Sequence, residues 1–491
     1  MLPVKRMPAW GFVILWSFSG VHRALPTRFF RLTNRSWRYW CGLPLLACAT
    51  FAVLCGCGQT FFFAGRNLPP SGISNRVLVA IQNATFSGGG TLQIEDAYYD
   101  VRHSYNDKTP SFFVTGYAGK SPVTIQNKPA ERFGAVYSAT DGSLAIVSYA
   151  KESAVDFKGV TGLSSSIFVS NDLRYAFSAN QIQHVLEVVD TQGPSVALNL
   201  PNAFRVSINP GASVVLVFVQ DSDLVYSVLR LQNNQPAPPN AEDCEPQNLP
   251  IYCLMPVAGN FDRPTKAVFS SDGKTAYILN CGPECGGNQA SVSYLPTAGV
   301  IMQSGAPVPP GSPTAVTATV PIPGGATDAL VTGTTLYLAG QQRQSDGYLG
   351  GVLTVLNTAT QQIAGSYSIS DGNHTKMVLG DDNTLWIGSQ LCTQGERFHQ
   401  AQGGANVQFG CLTMFNTATN SVTMVDAYKG DATGIAPITY LGKVYTAEGG
   451  QVYIYSTADG TMRDNTNVTV VGTAYDVAYM DAPDDDNNTY Y

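Results

Sequence analysis

The stretch Lys266-Ala-Val-Phe-Ser-Ser-Asp-Gly-Lys-Thr-Ala-Tyr-Ile-Leu-Asn280 reads as two short apolar strands around a tight polar turn. Asp272-Gly273 at its centre is a hairpin signal, because Gly accepts positive φ without a Cβ clash. Similar units stand at 134–150, 165–180, 203–220, 327–340, 376–390 and 433–448, which makes seven hairpins. A third strand often follows and ends in its own turn, as in Val352-Leu-Thr-Val-Leu-Asn-Thr-Ala-Thr360, Leu412-Thr-Met-Phe-Asn-Thr-Ala-Thr419 and Val452-Tyr-Ile-Tyr-Ser-Thr-Ala-Asp459. A fourth returns at Ser421-Val-Thr-Met-Val425 and Val468-Thr-Val-Val471. Four antiparallel strands per unit, repeated every few dozen residues, describe a propeller blade.

The two ends of the repeat array complement each other. Ala474-Tyr-Asp-Val-Ala-Tyr-Met480 reads as an opening strand with no hairpin partner after it, and Arg76-Val-Leu-Val-Ala-Ile-Gln-Asn83 as a second strand with no opening strand before it. Paired, they complete one blade and remove exposed sheet edges. Seven hairpins plus this split blade make eight, but 134–150 and 165–180 lie so close that they read as sharing a blade. The expected fold is therefore all-β, a single propeller over 75–480 of seven four-stranded blades, with eight as the alternative.

With its apolar strand, Ser-x-Asp-Gly turn and Ala-Tyr-x-x-Asn run at 269–280, the chain resembles the YVTN-repeat family of bacterial β-propellers across about 75–480. The turn departs from that pattern at 376–390, where Asp-Asp-Asn precedes Leu-Trp, and at 433–448, where Leu-Gly replaces Asp-Gly.

Composition agrees with strands. Charged residues are 13% of the 491, about half the usual share, apolar residues are 44%, and there are 48 glycines. Such a chain has material for a core and is unsuited to a coiled coil or long disorder. Residues 1–56 hold seven Lys and Arg and no Asp or Glu, leaving 21 basic against 35 acidic residues in the rest. That body repels phosphate backbones, so nucleic acid is excluded as a partner.

The basic leader runs into the apolar segment Cys41–Leu54, the length of a signal-peptide core and short for a membrane span. Leu54-Cys-Gly-Cys57 follows and resembles the bacterial lipoprotein box, whose last cysteine is lipidated. The expectation is a signal peptide over 1–56, a lipid anchor at Cys57, a tether over 57–74 and a body in the cell envelope, outside the cytoplasm. An uncleaved helix over 39–56 and ordinary signal cleavage are the alternatives. The acidic tail at 481–491 lacks the spaced ligands, central Gly and terminal Glu of a calcium loop.

Six further cysteines, Cys244, Cys253, Cys281, Cys285, Cys392 and Cys411, form three local couples. An exported chain meets oxidising conditions, which favours three local disulfides among the fifteen possible connectivities. Cys-x8-Cys and Cys-x3-Cys do not match zinc knuckles. No metal and no cofactor is expected. His103, His184, His374 and His399 are widely separated, and no hydrolase elbow, zincin, phosphate-loop or dinucleotide motif is present, so no catalytic residue is named.

Extra residues accumulate between second and third strands, at 281–290, 341–350 and 392–411. Strands alternate in direction within a blade, so these loops share one face, where binding residues concentrate. Arg343, Tyr348, Glu396, Arg397, Phe398 and His399 are the candidate binding residues. The function expected is a membrane-tethered, non-catalytic binding or scaffold module facing a protein or extracellular polymer. The alternative is a lactonase-like or other hydrolytic propeller with its site at the central channel.

Overall fold

Strand Arg76–Gln82 shows how the layers are built. Val77, Val79 and Ile81 pack with Ala436, Tyr445 and Ile454, while Leu78 and Ala80 pack on the other side with Ile125, Val136 and Val147. Successive side chains of a strand point to opposite faces, so a strand covered on both faces is an unbroken apolar run. The same construction continues around the molecule. Eight apolar clusters each join two neighbouring sheets, and the series returns to its start.

The computed structural model describes residues 69–482, apart from 85–88, 103–111, 157–158, 161–162, 232–235, 247–249, 303–315, 346, 393–409, 426–428, 464–467 and 469. The leader, Cys57, most of the tether and the tail beyond residue 482 lie outside the described residues. No described helix is long and apolar enough to cross a membrane.

The eight sheets are the blades of one all-β propeller. Blade 1 is split, with Thr473–Tyr479 innermost, then Arg76–Gln82, Thr91–Asp96 and the short outer pieces Val101–Arg102 and Phe112–Phe113. The innermost strands of blades 2 to 8 are Pro122–Lys128, Ser166–Val169, Ala203–Ile208, Pro264–Phe269, Gly325–Thr332, Asn373–Gly380 and Ala432–Ile438. Blade 8 has three full strands, and bridges from Met462 and Val468 occupy its outer edge. Proline appears in three innermost strands, at Pro122, Pro264 and Pro437. A missing N–H is tolerated there because one edge of each faces the channel instead of a fifth strand.

The ring thus has eight blades and not seven. Hairpin 134–150 is the second and third strand of blade 2, Phe133–Ser138 and Ser143–Ser148, while 165–180 contains the first and second strands of blade 3. Blade 2's own first turn, Pro129-Ala-Glu-Arg132, closes through an Arg132 N–H to Pro129 carbonyl bond of 3.1 Å with Arg132 at φ 57. It carries no Asp-Gly pair, so the strand before it escapes a reading based on that signal.

The repeated turns owe their sequences to hydrogen bonding. Ser270 Oγ donates to Asp272 Oδ1 at 2.7 Å and accepts from the Thr275 N–H at 3.0 Å. Ser170 and Asp172 repeat the arrangement, with Leu173 at φ 57 where Gly273 has φ 68. In Asn-Thr-Ala-Thr, the side-chain oxygens of Asn357 and Asn416 each accept two backbone N–H groups at 3.0 Å. These are Asx turns, in which the side chain replaces a backbone acceptor.

Closure follows the expected pairing. Thr473–Tyr479 runs antiparallel to Arg76–Gln82, from Val77 opposite Tyr479 to Gln82 opposite Thr473. Arg76 clips the seam: Nη2 meets Asp481 Oδ1 at 2.6 Å and Nη1 meets Glu152 Oε1 at 3.0 Å. Glu152 in turn accepts from the N–H and Oγ of Ser71 at 2.7 and 2.6 Å.

Candidate functional site

Seven of the eight innermost strands carry the same irregularity. The ladder steps over one residue at Val123, Phe204, Thr265, Thr327, Thr375, Thr433 and Tyr475. Such a bulge bends the strand and re-aims the side chains beside it. The residues that follow are Thr124, Arg205, Lys266, Asp328, Lys376, Gly434 and Asp476, and five of them ionise. Lys266, Asp328, Lys376 and Asp476 are buried, and Arg205 is half-buried.

Some of these groups bind neighbours and others reach past them. Lys266 Nζ pairs with Asp328 Oδ1 in the next blade. Lys376 in blade 7 pairs with Asp476 in blade 1, passing blade 8, where Gly434 leaves space. A Cβ on Gly434 would stand 2.7 Å from Asp476 Cα. Arg205 in blade 4 passes blade 5 and donates from Nη1 to the Thr327 carbonyl of blade 6 at 2.9 Å. Links that skip a blade run along the channel side, since the skipped blade fills the wall. Backbone edges are tied as well: Asp476 Oδ2 accepts from the Ile125 N–H at 2.8 Å, and Gln126 bonds both Ile167 O and the Val169 N–H.

The ring therefore joins three cations, Arg205, Lys266 and Lys376, to two carboxylates, Asp328 and Asp476. Burial pulls the Lys266 ammonium below its ordinary pKa, with Asp328 opposing, and pushes the Asp476 carboxyl up, with Lys376 opposing. Burial also lowers the Arg205 guanidinium, and only Asp328 counters it. His374 is 1% exposed, and burial holds its pKa down to about 4, so it is neutral at pH 7. Its Nε2–H donates to the Ser370 carbonyl at 2.8 Å. Asp328 Oδ2, His374 Nδ1 and Thr375 Oγ1 are buried without hydrogen-bond partners.

The ring lies toward the face that carries the second-to-third connections. Lys266 pairs in register with Leu279, two residues before Cys281, and Lys376 pairs with Gly388, four before Cys392. The Cys281 loop reaches the mouth, since a Cβ on Gly325 of blade 6 would meet Cys281 Sγ at 2.9 Å. Disulfides join Cys281 to Cys285 in this loop, Cys392 to Cys411 across the next insertion, and Cys244 to Cys253 on the outer edge of blade 4. Three disulfides fit an oxidising, extracytoplasmic setting.

The expected binding residues are placed unevenly. Arg343 is exposed at the end of Thr335–Arg343, where Nη1 donates to the Gly347 carbonyl at 2.6 Å, and the Tyr348 carbonyl accepts from the Gln344 N–H at 2.7 Å. Both serve the tip of their own hairpin. Glu396, Arg397, Phe398 and His399 lie outside the described residues, as does His103, and His184 is exposed in a turn. Among the described residues no group of three or more His, Cys, Asp or Glu could hold a metal ion. The five ionisable ring residues escaped sequence reading, although a signal existed. Thr-Lys, Thr-Asp and Thr-Lys open the hairpins at 265, 327 and 375, each Thr being the bulged residue.

No family model and no curated protein matches the sequence. Solved structures similar to it include hydrazine synthase from Kuenenia stuttgartiensis, at 13% identity and TM-score 0.47, covering 72% of this chain and 99% of that one. The Myceliophteria thermophila Cps50 (Swd1) β-propeller domain matches at 11% identity and TM-score 0.45, over 68% of this chain and 96% of that one. Dihydro-heme d1 dehydrogenase NirN matches at 11% and 0.47, over 84% of this chain and 79% of that one. Figures of this size transfer nothing of what those proteins do.

Proposed function

We propose that this chain is a lipid-anchored, extracytoplasmic binding or scaffold module that meets a protein or extracellular polymer through the face bearing its second-to-third loops. The observation that supports it is the pair of disulfide-closed loops on that face, at Cys281–Cys285 and Cys392–Cys411; at the expected 341–350 insertion the strands Thr335–Arg343 and Leu349–Asn357 continue outward and leave only the tip 344–348 between them. On the opposite face the first-to-second turns stay short, as at Ser270, and the Asn357 and Asn416 turns are satisfied by their own side chains, while the third-to-fourth connections of blades 4 and 5 are long, spanning 232–250 and 297–317. Rigid strands presenting long loops are a common arrangement for recognition. Cys57 anchors the body, and the tether gives it reach from the membrane.

The test replaces Arg343, Tyr348, Glu396, Arg397, Phe398 and His399 with Ser or Ala and measures co-sedimentation of the purified body with cell-envelope polymers. Loss of sedimentation at unchanged thermal midpoint supports the reading, and equal sedimentation of both proteins refutes it. The hydrolytic alternative draws on the charged ring, where Asp328 Oδ2 and His374 Nδ1 have no partner. It needs a carboxylate free to act as base, whereas Asp328 and Asp476 each hold an ammonium group. Ester or lactone hydrolysis abolished by Asp328→Asn would favour it.

A further inference from the structure

We propose that the channel binds a carboxylate group at Arg205, between the innermost strands of blades 4, 6 and 7. This inference is independent of the loop-face reading, because the site is inside the ring and not on its loops. Three observations point to it. First, the ring holds one cation more than its carboxylates neutralise, and Arg205 is the one with no ion pair among the described residues. Second, a guanidinium has five N–H donors, and one of those on Arg205 is bound, to the Thr327 carbonyl at 2.9 Å. Arg205 is half-buried as a residue, and none of its nitrogens is among the buried polar atoms without a partner, so the donors not held by Thr327 retain access to open space beside the ring. Third, the surroundings hold the guanidinium in place. Its Cζ lies 5.8 Å from the centre of the Phe204 ring, and Nη1 is fixed on Thr327, whose Oγ1 is itself bonded to the His374 carbonyl at 3.2 Å.

The charge balance chooses the ligand class. One monoanion brings the ring to neutrality, whereas a dianion such as sulfate overshoots and faces Asp328 with a second charge. A carboxylate also matches the planar fork of arginine, which binds it through two parallel hydrogen bonds. Blade 7 adjoins the site through the His374 carbonyl, which accepts from Thr327 Oγ1 at 3.2 Å; the next residue, Thr375, carries a buried hydroxyl without a partner. The ligand is thus a small carboxylate, or a polymer end that carries one.

The experiment titrates the folded body with sodium acetate at constant ionic strength, with chloride as the balancing salt, and follows heat by calorimetry. Saturable acetate binding, weaker sulfate binding, and a loss of at least about tenfold in Arg205→Met are expected, the last from removal of a charge-assisted pair. A second measurement needs no variant: acetate should slow phenylglyoxal modification of Arg205 in the wild-type protein, read by peptide mass mapping. The inference is overturned if wild type shows no saturable binding, if folded Arg205→Met binds acetate as wild type does, if sulfate binds more tightly than acetate, or if acetate leaves Arg205 modification unchanged. Loss of polymer sedimentation in the loop variants with acetate binding intact would separate the two sites.

Discussion

Replacing Arg76 with Met keeps most of the side-chain volume and removes the charge that clips the two ends of the chain together. Arg76 is buried, and its partners differ in exposure: the Glu152 side chain is 5% exposed and the Asp481 side chain 25%. Removing one member of a buried pair leaves an uncompensated charge and costs about 3–5 kcal/mol, while a pair open to solvent contributes about 1 kcal/mol or less. Arg76→Met should therefore lose about 3–5 kcal/mol, most of it from Glu152, and Asp481→Asn no more than about 1 kcal/mol. The assay is urea unfolding followed by fluorescence of Trp386, the sole tryptophan after the leader and fully buried. Adding Glu152→Gln to Arg76→Met should restore part of the loss, since the stranded charge is gone. The reasoning is refuted if Arg76→Met costs less than Asp481→Asn, or if the double variant is less stable than Arg76→Met alone.

Three further outcomes are expected. His374, held at about 4 by burial against an ordinary 6.5, contributes fully above pH 6.5 and loses that contribution as pH falls toward 4, because the unfolded chain takes a proton the native chain refuses. The stability advantage of wild type over His374→Gln should shrink by about 3 kcal/mol across that window, and an unchanged difference would contradict a buried neutral imidazole. Gly434→Ala should cost about 1–3 kcal/mol by driving a methyl into Asp476, measured by thermal unfolding and absent in a control such as Gly211→Ala, where the added Cβ meets nothing. Gly273→Ala should cost about 1 kcal/mol through its φ of 68, whereas Leu173→Gly, at φ 57 in the matching turn, relieves backbone strain and loses side-chain packing, for a net change within about 0.5 kcal/mol.

What could be read from the sequence was whatever is encoded locally. Asp272-Gly273 and the Asn357 and Asn416 turns announce hairpins because every hydrogen bond involved lies within a few residues. The split blade was legible because both halves are apolar runs lacking a partner. Blade number was not, since Pro129-Ala-Glu-Arg132 makes its turn without the usual residues. The charged ring was hidden for a different reason. Lys266 and Asp328 are 62 residues apart, and Lys376 and Asp476 are 100 apart, so their pairing depends on ring closure. His374 read as one isolated histidine, and its neutral state follows from burial that only the packed blades provide.

The split blade also sets a clock. Blade hairpins of this size form within microseconds, but Arg76–Gln82 cannot acquire its inner partner until Thr473–Tyr479 has been made, and Arg76 lies 405 residues from Asp481. That wait lasts until nearly the whole array of blades is in place. Throughout it, an apolar strand with unpaired N–H and C=O groups stands open at the first edge of a growing arc. The hazard in this molecule's life is therefore concentrated at its beginning, on the strand translated early and finished last, and any factor that protects the nascent chain has that edge to cover.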